Sequence, residues 1–268
     1  MSHPITNPEA GRQQIDVLIP AIEKDLNNLP YVIDSVRKMV KHPINDIFIV
    51  SPRSAAIEQL CRQKRCRFVN ENTVLPITKK HIHYRSKSWD RSGWLFQQLL
   101  KLSGDSICSC SKYLVIDADT VLIRPHTFRS GSKTVAYYRK WSQPEYFRAY
   151  KKLLGTKAAA PVSFVAHYML FDKEKVRQLK RTIEGKHQIP WYSAIIKNIR
   201  KSSLYAFSEF ETYGNFVYAK EPGAFVLKST LNKSLPVNAG SLTGLRIQKL
   251  AKTYKSLSFH KRRNYFLK

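Results

Sequence analysis

YLVIDADTVLIRP, residues Tyr113 to Pro125, is the stretch on which the reading of this chain turns. Tyr113 to Ile116 is a short, largely apolar run of the kind that forms a buried strand, and Asp117-Ala118-Asp119-Thr120 follows it directly. An acid pair delivered by a buried strand is costly unless something cationic answers it. Carboxylates are hard oxygen donors. Magnesium or manganese held by one or two of them fills its shell with water and substrate phosphates, so the pattern predicts a divalent cation facing a diphosphate. The alternative is two solvated loop aspartates.

Upstream, strands and helices alternate. IDVLIP (Ile15 to Pro20) predicts the first strand, ending in proline at a sheet edge. Leu29, Val32, Ile33, Val36, Met39 and Val40 recur at helical spacing behind Pro30, which suits a first helical turn. IFIV (Ile47 to Val50), a helical stretch at Ala55 to Gln63 and RFV (Arg67 to Val69) complete a βαβαβ start with parallel connections. Residues 70–90, with Lys79, Lys80, His81, His83, Arg85 and Lys87, show no period and predict a long basic loop near the site. A helix follows from Trp94 to Leu102 with Leu95, Leu99 and Leu102 on one face, while Gln97, Gln98 and Lys101 occupy the rest.

Downstream, TVAYY (Thr134 to Tyr138) and VSFVAHYMLF (Val162 to Phe171) are strand-like, and Asp172 caps a helix carrying Val176, Leu179 and Ile183. Pro190 and Trp191 open another helix, and Ser208-Glu209-Phe210-Glu211 opens one that ends near Gly214 or Tyr218.

The 268 residues include 43% apolar side chains, a globular composition sufficient for one sizeable core. The division expected is a flexible segment 1–14, a single domain at 15–244 and a basic tail at 245–268. No apolar run long enough to span a bilayer and no signal-type leader is evident, which predicts a cytoplasmic location. Cys61, Cys66, Cys108 and Cys110 have neither zinc nor disulfide spacing and read as free thiols. Forty-six Lys and Arg against 19 Asp and Glu give a net charge of +27, and after Glu221 there is no acid at all. A surface of this kind attracts polyanions: nucleic acid, anionic headgroups or an acidic polymer. In the tail, Leu250, Tyr254 and Leu257 among lysines fit either an amphipathic helix on the inner membrane face or an ordinary docking helix.

Taken together, VLIPAIEKDLNNLP, GWLFQQLLKL, YLVIDADTVLIRP, HYMLF and SEFETYGNFV resemble a bacterial group of DxD glycosyltransferase-like proteins of the GT-A fold, over about residues 15 to 220. The resemblance implies an α/β architecture: one GT-A (Rossmann-like) domain with a mixed, mainly parallel central sheet flanked by helices. It implies a hexosyltransferase-like enzyme that uses Mn2+ or Mg2+ and a nucleotide-diphosphate sugar, a UDP-sugar being favoured. Asp117 and Asp119 would bind the metal and the donor diphosphate, Asp119 more directly. Pro20, Ala21 and Ser51 would hold the base and ribose, although Ser51 stands where several such families carry an acid. Arg91, Trp94 and Gln98 would approach the donor phosphates or sugar, with Trp94 equally readable as core. His260 resembles a late histidine that completes the metal shell in some of these enzymes, and imidazole suits manganese better than magnesium. Together with the charge, these features predict an anionic or lipid-linked glycan acceptor of the cell envelope.

An inverting transfer needs a carboxylate to take the acceptor proton, and Glu209 and Glu211 are the late candidates. Ser208 with Glu211 also fits the S-x-x-E capping box, so Glu209 ranks first as base. It too could merely complement the helix dipole. His167 reads as a strand core residue or as one lining the acceptor side; His81 and His83 remain unassigned. IDADTV also matches the DxDxT motif of haloacid-dehalogenase-type phosphatases, with Asp117 as nucleophile. Against that, three βα units precede it and no later adjacent acid pair follows. A nucleotidyltransferase would need a Gly-rich loop after the first strand, which VLIPAIEKD lacks. A nucleic-acid binder has the charge but no recognisable module, so no specific nucleic acid is expected.

Overall fold

Parallel pairing of short buried strands organises the molecule. The computed structural model describes residues 14–260, and the N-terminal segment expected at 1–14 therefore lies almost wholly outside it. β1 (Ile15–Pro20) runs parallel to β2 (Ile44–Ser51) and to β4 (Lys112–Ile116), β2 parallel to β3 (Arg67–Asn70), and β8 (Tyr168–Asp172) antiparallel to β4. The resulting five-stranded order is β3-β2-β1-β4-β8, the mixed, mainly parallel sheet expected.

Each strand feeds two cores. Val17, Ile19, Leu114 and Ile116 face one apolar cluster with Ile33 and Val36 of α1 (Leu29–Met39) and Ile57 of α2 (Ala55–Gln63). Leu18, Tyr113 and Val115 face the other, with Leu95 and Leu99 of α3 (Ser92–Leu102). Because both faces are covered, the strands read as continuous apolar runs. The second core is closed by α5 (Pro144–Leu154), α6 (Lys173–His187), α7 (Trp191–Asn198) and α8 (Glu209–Lys220), while the one-turn α4 (Gly104–Ile107) leads into β4. Asp172 caps α6 as expected, its Oδ1 accepting from the backbone N–H groups of Glu174 and Lys175.

Two three-stranded sheets flank the main one. β5 (Thr120–Leu122) joins β10 (Asn232–Ser234) and β11 (Ser256–Ser258), and β6 (Arg129–Ser130) joins β7 (Lys133–Tyr138) and β9 (Phe225–Ser229).

Several expectations are corrected. Residues 70–90 are not a structureless loop: they contain helical turns at Glu71–Thr73 and Lys79–His81 and bury Ile82, Tyr84 and Trp89. Of the strand expected over 162–171 only the end forms, because His167 adopts a left-handed backbone (φ 65°) that breaks the run. Of the two ends expected for α8 the later one, near Tyr218, agrees with the observed Lys220; the helix runs through Gly214, where the ring of Phe164 packs so closely that a Cβ would lie 2.4 Å from it. Residues 245–260 of the tail are described and pack back on the domain, whereas 261–268 lie outside the described residues. β11 pairs antiparallel with β5, and Leu257 and Phe259 are buried. Ile247 and Leu250 of α9 (Gly244–Ala251) pack, half-buried, onto the same small cluster, while Leu245 stays exposed. Among the described residues no helix is long and apolar enough to cross a membrane, and the four cysteines are free.

Candidate functional site

At the C-terminal end of β4 the chain turns sharply. The Thr120 amide donates to the Asp117 carbonyl (3.1 Å), so the acid pair sits in a tight turn between β4 and β5 rather than on extended backbone. Two distant segments clamp that turn. The Asp117 amide donates to the His167 carbonyl (3.0 Å), and the Phe259 amide donates to the Asp119 carbonyl (2.9 Å). The approach to β8 and the end of the chain thus bring a histidine each to the acids. His167 Nδ1 lies 3.0 Å from Asp117 Oδ2, His260 Nδ1 lies 2.8 Å from Asp119 Oδ2, and the two imidazole centroids are 5.1 Å apart.

Beneath the turn lies a buried ion cluster. Lys101 Nζ donates to Asp117 Oδ1 (2.5 Å) and to Glu209 Oε1 (2.7 Å). Lys101 was expected off the face of α3 that carries Leu95, Leu99 and Leu102; the structure buries it on a stripe of that helix and its cap with buried Arg91 and Gln98 and half-buried Trp94. Those positions are spaced 3, 4 and 3 residues apart, one helical face, and this spacing is the signal that could have found it. Burial opposes the Lys101 charge, but Asp117 and Glu209 outweigh it and hold the ammonium above its ordinary value. Burial likewise opposes ionised Asp117, yet Lys101 and His167 prevail and hold its carboxyl well below the usual range. Glu209 goes the other way. At 1% exposure, burial outweighs Lys101, the charge of Asp117 adds to it, and the carboxyl is raised.

Asp25, in the turn Glu23–Asn27 after β1, was not anticipated. Burial pushes its carboxyl up to about 6, with the charges of Asp119 and Asp117 adding to the rise. Negative charge therefore accumulates around the turn.

Three side-chain oxygens there, Asp119 Oδ1, Thr120 Oγ1 and Glu209 Oε2, are buried with no hydrogen-bond partner among the described residues. An orphaned carboxylate oxygen beside an imidazole is a donor set that suits a divalent cation. Asp119 and His260 fit such an ion. Asp117 is committed to Lys101 and His167, and among the described residues no three His, Cys, Asp or Glu side chains are gathered as a ligand cage. The three-ligand set expected from Asp117, Asp119 and His260 is thus only paired in this arrangement.

Glu211 is separate. Ser208 Oγ accepts from the Glu211 amide (3.3 Å), which is half of a capping box. The other half is not made. Glu211 Oε2 accepts from Ser142 (2.9 Å) and Ser163 (2.6 Å), and Oε1 from Asn215 (2.9 Å), so tertiary partners replace the local bond. Pro20, Ala21 and Ser51 stand at the same sheet edge as Asp117, all buried. Ser51 Oγ donates to the Pro52 carbonyl (3.0 Å), which leaves these residues as a backbone wall. The Arg91 guanidinium lies 4.1 Å over the Trp94 ring and 5.2 Å over that of Tyr205, while Gln98 Nε2 donates to the Trp94 carbonyl (3.2 Å).

The model of a family of unknown function, DUF6492, matches residues 12–234. Comparison with curated proteins gives no match. Among solved structures, mouse xyloside xylosyltransferase 1 in its apo form superposes with a TM-score of 0.50 at 13% identity, over 93% of this chain and 98% of that one. The bifunctional glycosyltransferase WbbM, also apo, gives 0.50 at 14% identity over 96% of this chain, which spans only 47% of that protein. The fold shared with both is GT-A.

Proposed function

The chain belongs to the DUF6492 family, and we propose that it is a metal-dependent glycosyltransferase that moves a sugar from a nucleotide-diphosphate sugar, a UDP-sugar first, to an acceptor. The acid turn at the C-terminal end of a parallel sheet carries this reading, where open α/β folds bind their ligands. The names of the two superposed enzymes, a xylosyltransferase and a glycosyltransferase, support it. A phosphatase using Asp117 has less support, since the motif follows β4 and not the first strand.

In this reading Asp119 and His260 hold Mn2+ or Mg2+, which neutralises the charge of the diphosphate. Lys101 and His167 keep Asp117 ionised and aimed at the donor. Pro20, Ala21 and Ser51 wall the nucleoside, and Arg91, Trp94 and Gln98 approach the phosphates or sugar. Glu209, whose raised carboxyl suits proton transfer, is the base, and its unpartnered Oε2 is the atom for the acceptor proton. The net charge of +27 favours an anionic or lipid-linked glycan acceptor, handled in the cytoplasm with peripheral contact to the inner membrane face.

Release of UDP from a panel of UDP-sugars by the purified chain is expected to require manganese or magnesium. Full turnover in excess chelator, or none with any nucleotide sugar, overturns the reading. For Glu209→Gln we expect nucleotide binding to persist and transfer to fall at least about 100-fold, the usual scale of general-base catalysis. Normal transfer by this variant would place the base elsewhere or point to a retaining reaction.

A further inference from the structure

A transferase must also seat its acceptor. Just past β7, Arg139 and Ser163 exchange two backbone hydrogen bonds (3.0 and 2.9 Å). Ser142 and Ser163 both donate to Glu211, two residues from Glu209. This corner is therefore anchored to the first turn of α8, the turn that also carries the carboxylate assigned as base. The Arg139 guanidinium carbon stands 4.0 Å over the ring of Trp141, which is 61% exposed. Arg139 Nε is itself buried and has no hydrogen-bond partner among the described residues. Glu211 acts on it electrostatically, but the oxygens of Glu211 are already engaged by Ser142, Ser163 and Asn215.

A second arginine-on-aromatic stack faces the same region. Arg91 lies over Trp94 and over Tyr205, which is 37% exposed. Buried Tyr146 is within electrostatic reach of Arg91, Arg139 and Glu209 together. Two exposed aromatic rings, each carrying a guanidinium, thus share with the proposed base the surroundings of Tyr146.

We infer that Trp141 and Arg139 form an acceptor subsite for a glycan residue bearing an oxyanion, a uronate carboxylate or a phosphate ester, with its ring face on the indole and its charge on the guanidinium. This rests on the glycosyltransferase reading. The chemistry suits both halves. An indole offers a large apolar face at low conformational cost, and a guanidinium fork matches carboxylate or phosphate oxygens in a way a lysine would not. Tyr146, within electrostatic reach of both Arg139 and Glu209, links this subsite to the base.

The test uses the whole chain with manganese and UDP, titrated by tryptophan fluorescence and ligand-observed NMR. The probes are a glucuronate-containing hyaluronan tetrasaccharide against neutral chitotetraose, and maltose 1-phosphate against maltose. At least one anionic probe is expected to bind about tenfold or more tightly than its neutral partner, and the pair that discriminates identifies uronate or phosphate as the source. Arg139→Gln should erase that preference, Arg139→Lys should restore part of it, and Trp141→Ala should weaken both members of the pair. No binding, equal binding within both pairs, or a preference unchanged in Arg139→Gln overturns the subsite. Should Arg139→Gln not fold, Trp141→Ala at its exposed position decides: unaltered affinity for the anionic probe is then the overturning result. UDP binding in the same samples separates the two claims. UDP bound without glycan preference removes the subsite alone, whereas no UDP binding by the unaltered chain removes the function beneath it.

Discussion

Replacing Lys101 by Met is expected to destabilise the protein by about 3–5 kcal/mol, the scale found when one partner of a buried ion pair is removed and its counter-charge is left stranded. Here two counter-charges are stranded. Lys101 Nζ is the donor to Asp117 Oδ1 and Glu209 Oε1, and the side chains of Lys101 and Glu209 are only 6% and 1% exposed. Methionine matches the length of the stem, so lost packing contributes little and the measurement isolates the charge. Glu209→Gln should cost much less. It removes a charge that burial already disfavours and retains an oxygen for Lys101 to bind. Urea denaturation of the two variants side by side checks this, and equal losses would show that Lys101 does not tie the cluster together.

The pH dependence has a definite sign. In the native protein Glu209 is raised, so its contribution is most favourable below its ordinary value of 4.5 and is lost as pH climbs through the folded pKa. Asp117 is depressed; its contribution is present above its ordinary value of 3.8 and is lost on acidification. Without Lys101 the depression of Asp117 loses its main source and Glu209 rises further. The deficit of Lys101→Met should therefore shrink as pH falls from 7 toward 5. A deficit independent of pH would mean that packing rather than charge dominates.

The parts of the fold that were legible were those governed by local rules. β1, β2 and β4 are buried on both faces over VLIP, IFIV and YLVI, and that burial writes these short apolar runs into the sequence. Where tertiary partners outvote a local rule, the reading failed. The burial of Lys101 could not be read from α3 alone, because lysine is seldom buried unless paired and its partners lie 16 and 108 residues away. Glu211 satisfied S-x-x-E, yet Ser142 and Ser163 offered its carboxylate better bonds than the Ser208 amide. Lysines hid the structural part of the tail, since what fixes it is Leu257 buried against β5. Nothing in VSFVAHYMLF announces that His167 takes a left-handed backbone. That geometry nevertheless aims its carbonyl and its imidazole at Asp117.

For Asp119→Ala, turnover is expected to fall on the order of 10²- to 10⁴-fold, because charge stabilisation by a bound metal is worth several kcal/mol and each 1.4 kcal/mol is a factor of ten. The fold should survive. Asp119 contributes its carbonyl, not its side chain, to the clamp with Phe259, and the alanine keeps that bond. What goes is the contact with His260 at 2.8 Å and the orphaned Oδ1, a loss of about 1 kcal/mol in stability if His260 is solvated instead. Manganese binding, followed by electron paramagnetic resonance in the presence of UDP, should weaken in parallel with turnover. Asp119→Asn refines the point, since it keeps an oxygen but gives up the charge, and should bind manganese more weakly than the native chain yet better than alanine. His260→Ala should instead lower activity with manganese more than with magnesium, because imidazole favours the former. If Asp119→Ala turned over at the native rate with either ion, Oδ1 would not be a metal ligand, and the negative charge gathered by Asp25, Asp117 and Asp119 would need another cation to explain it.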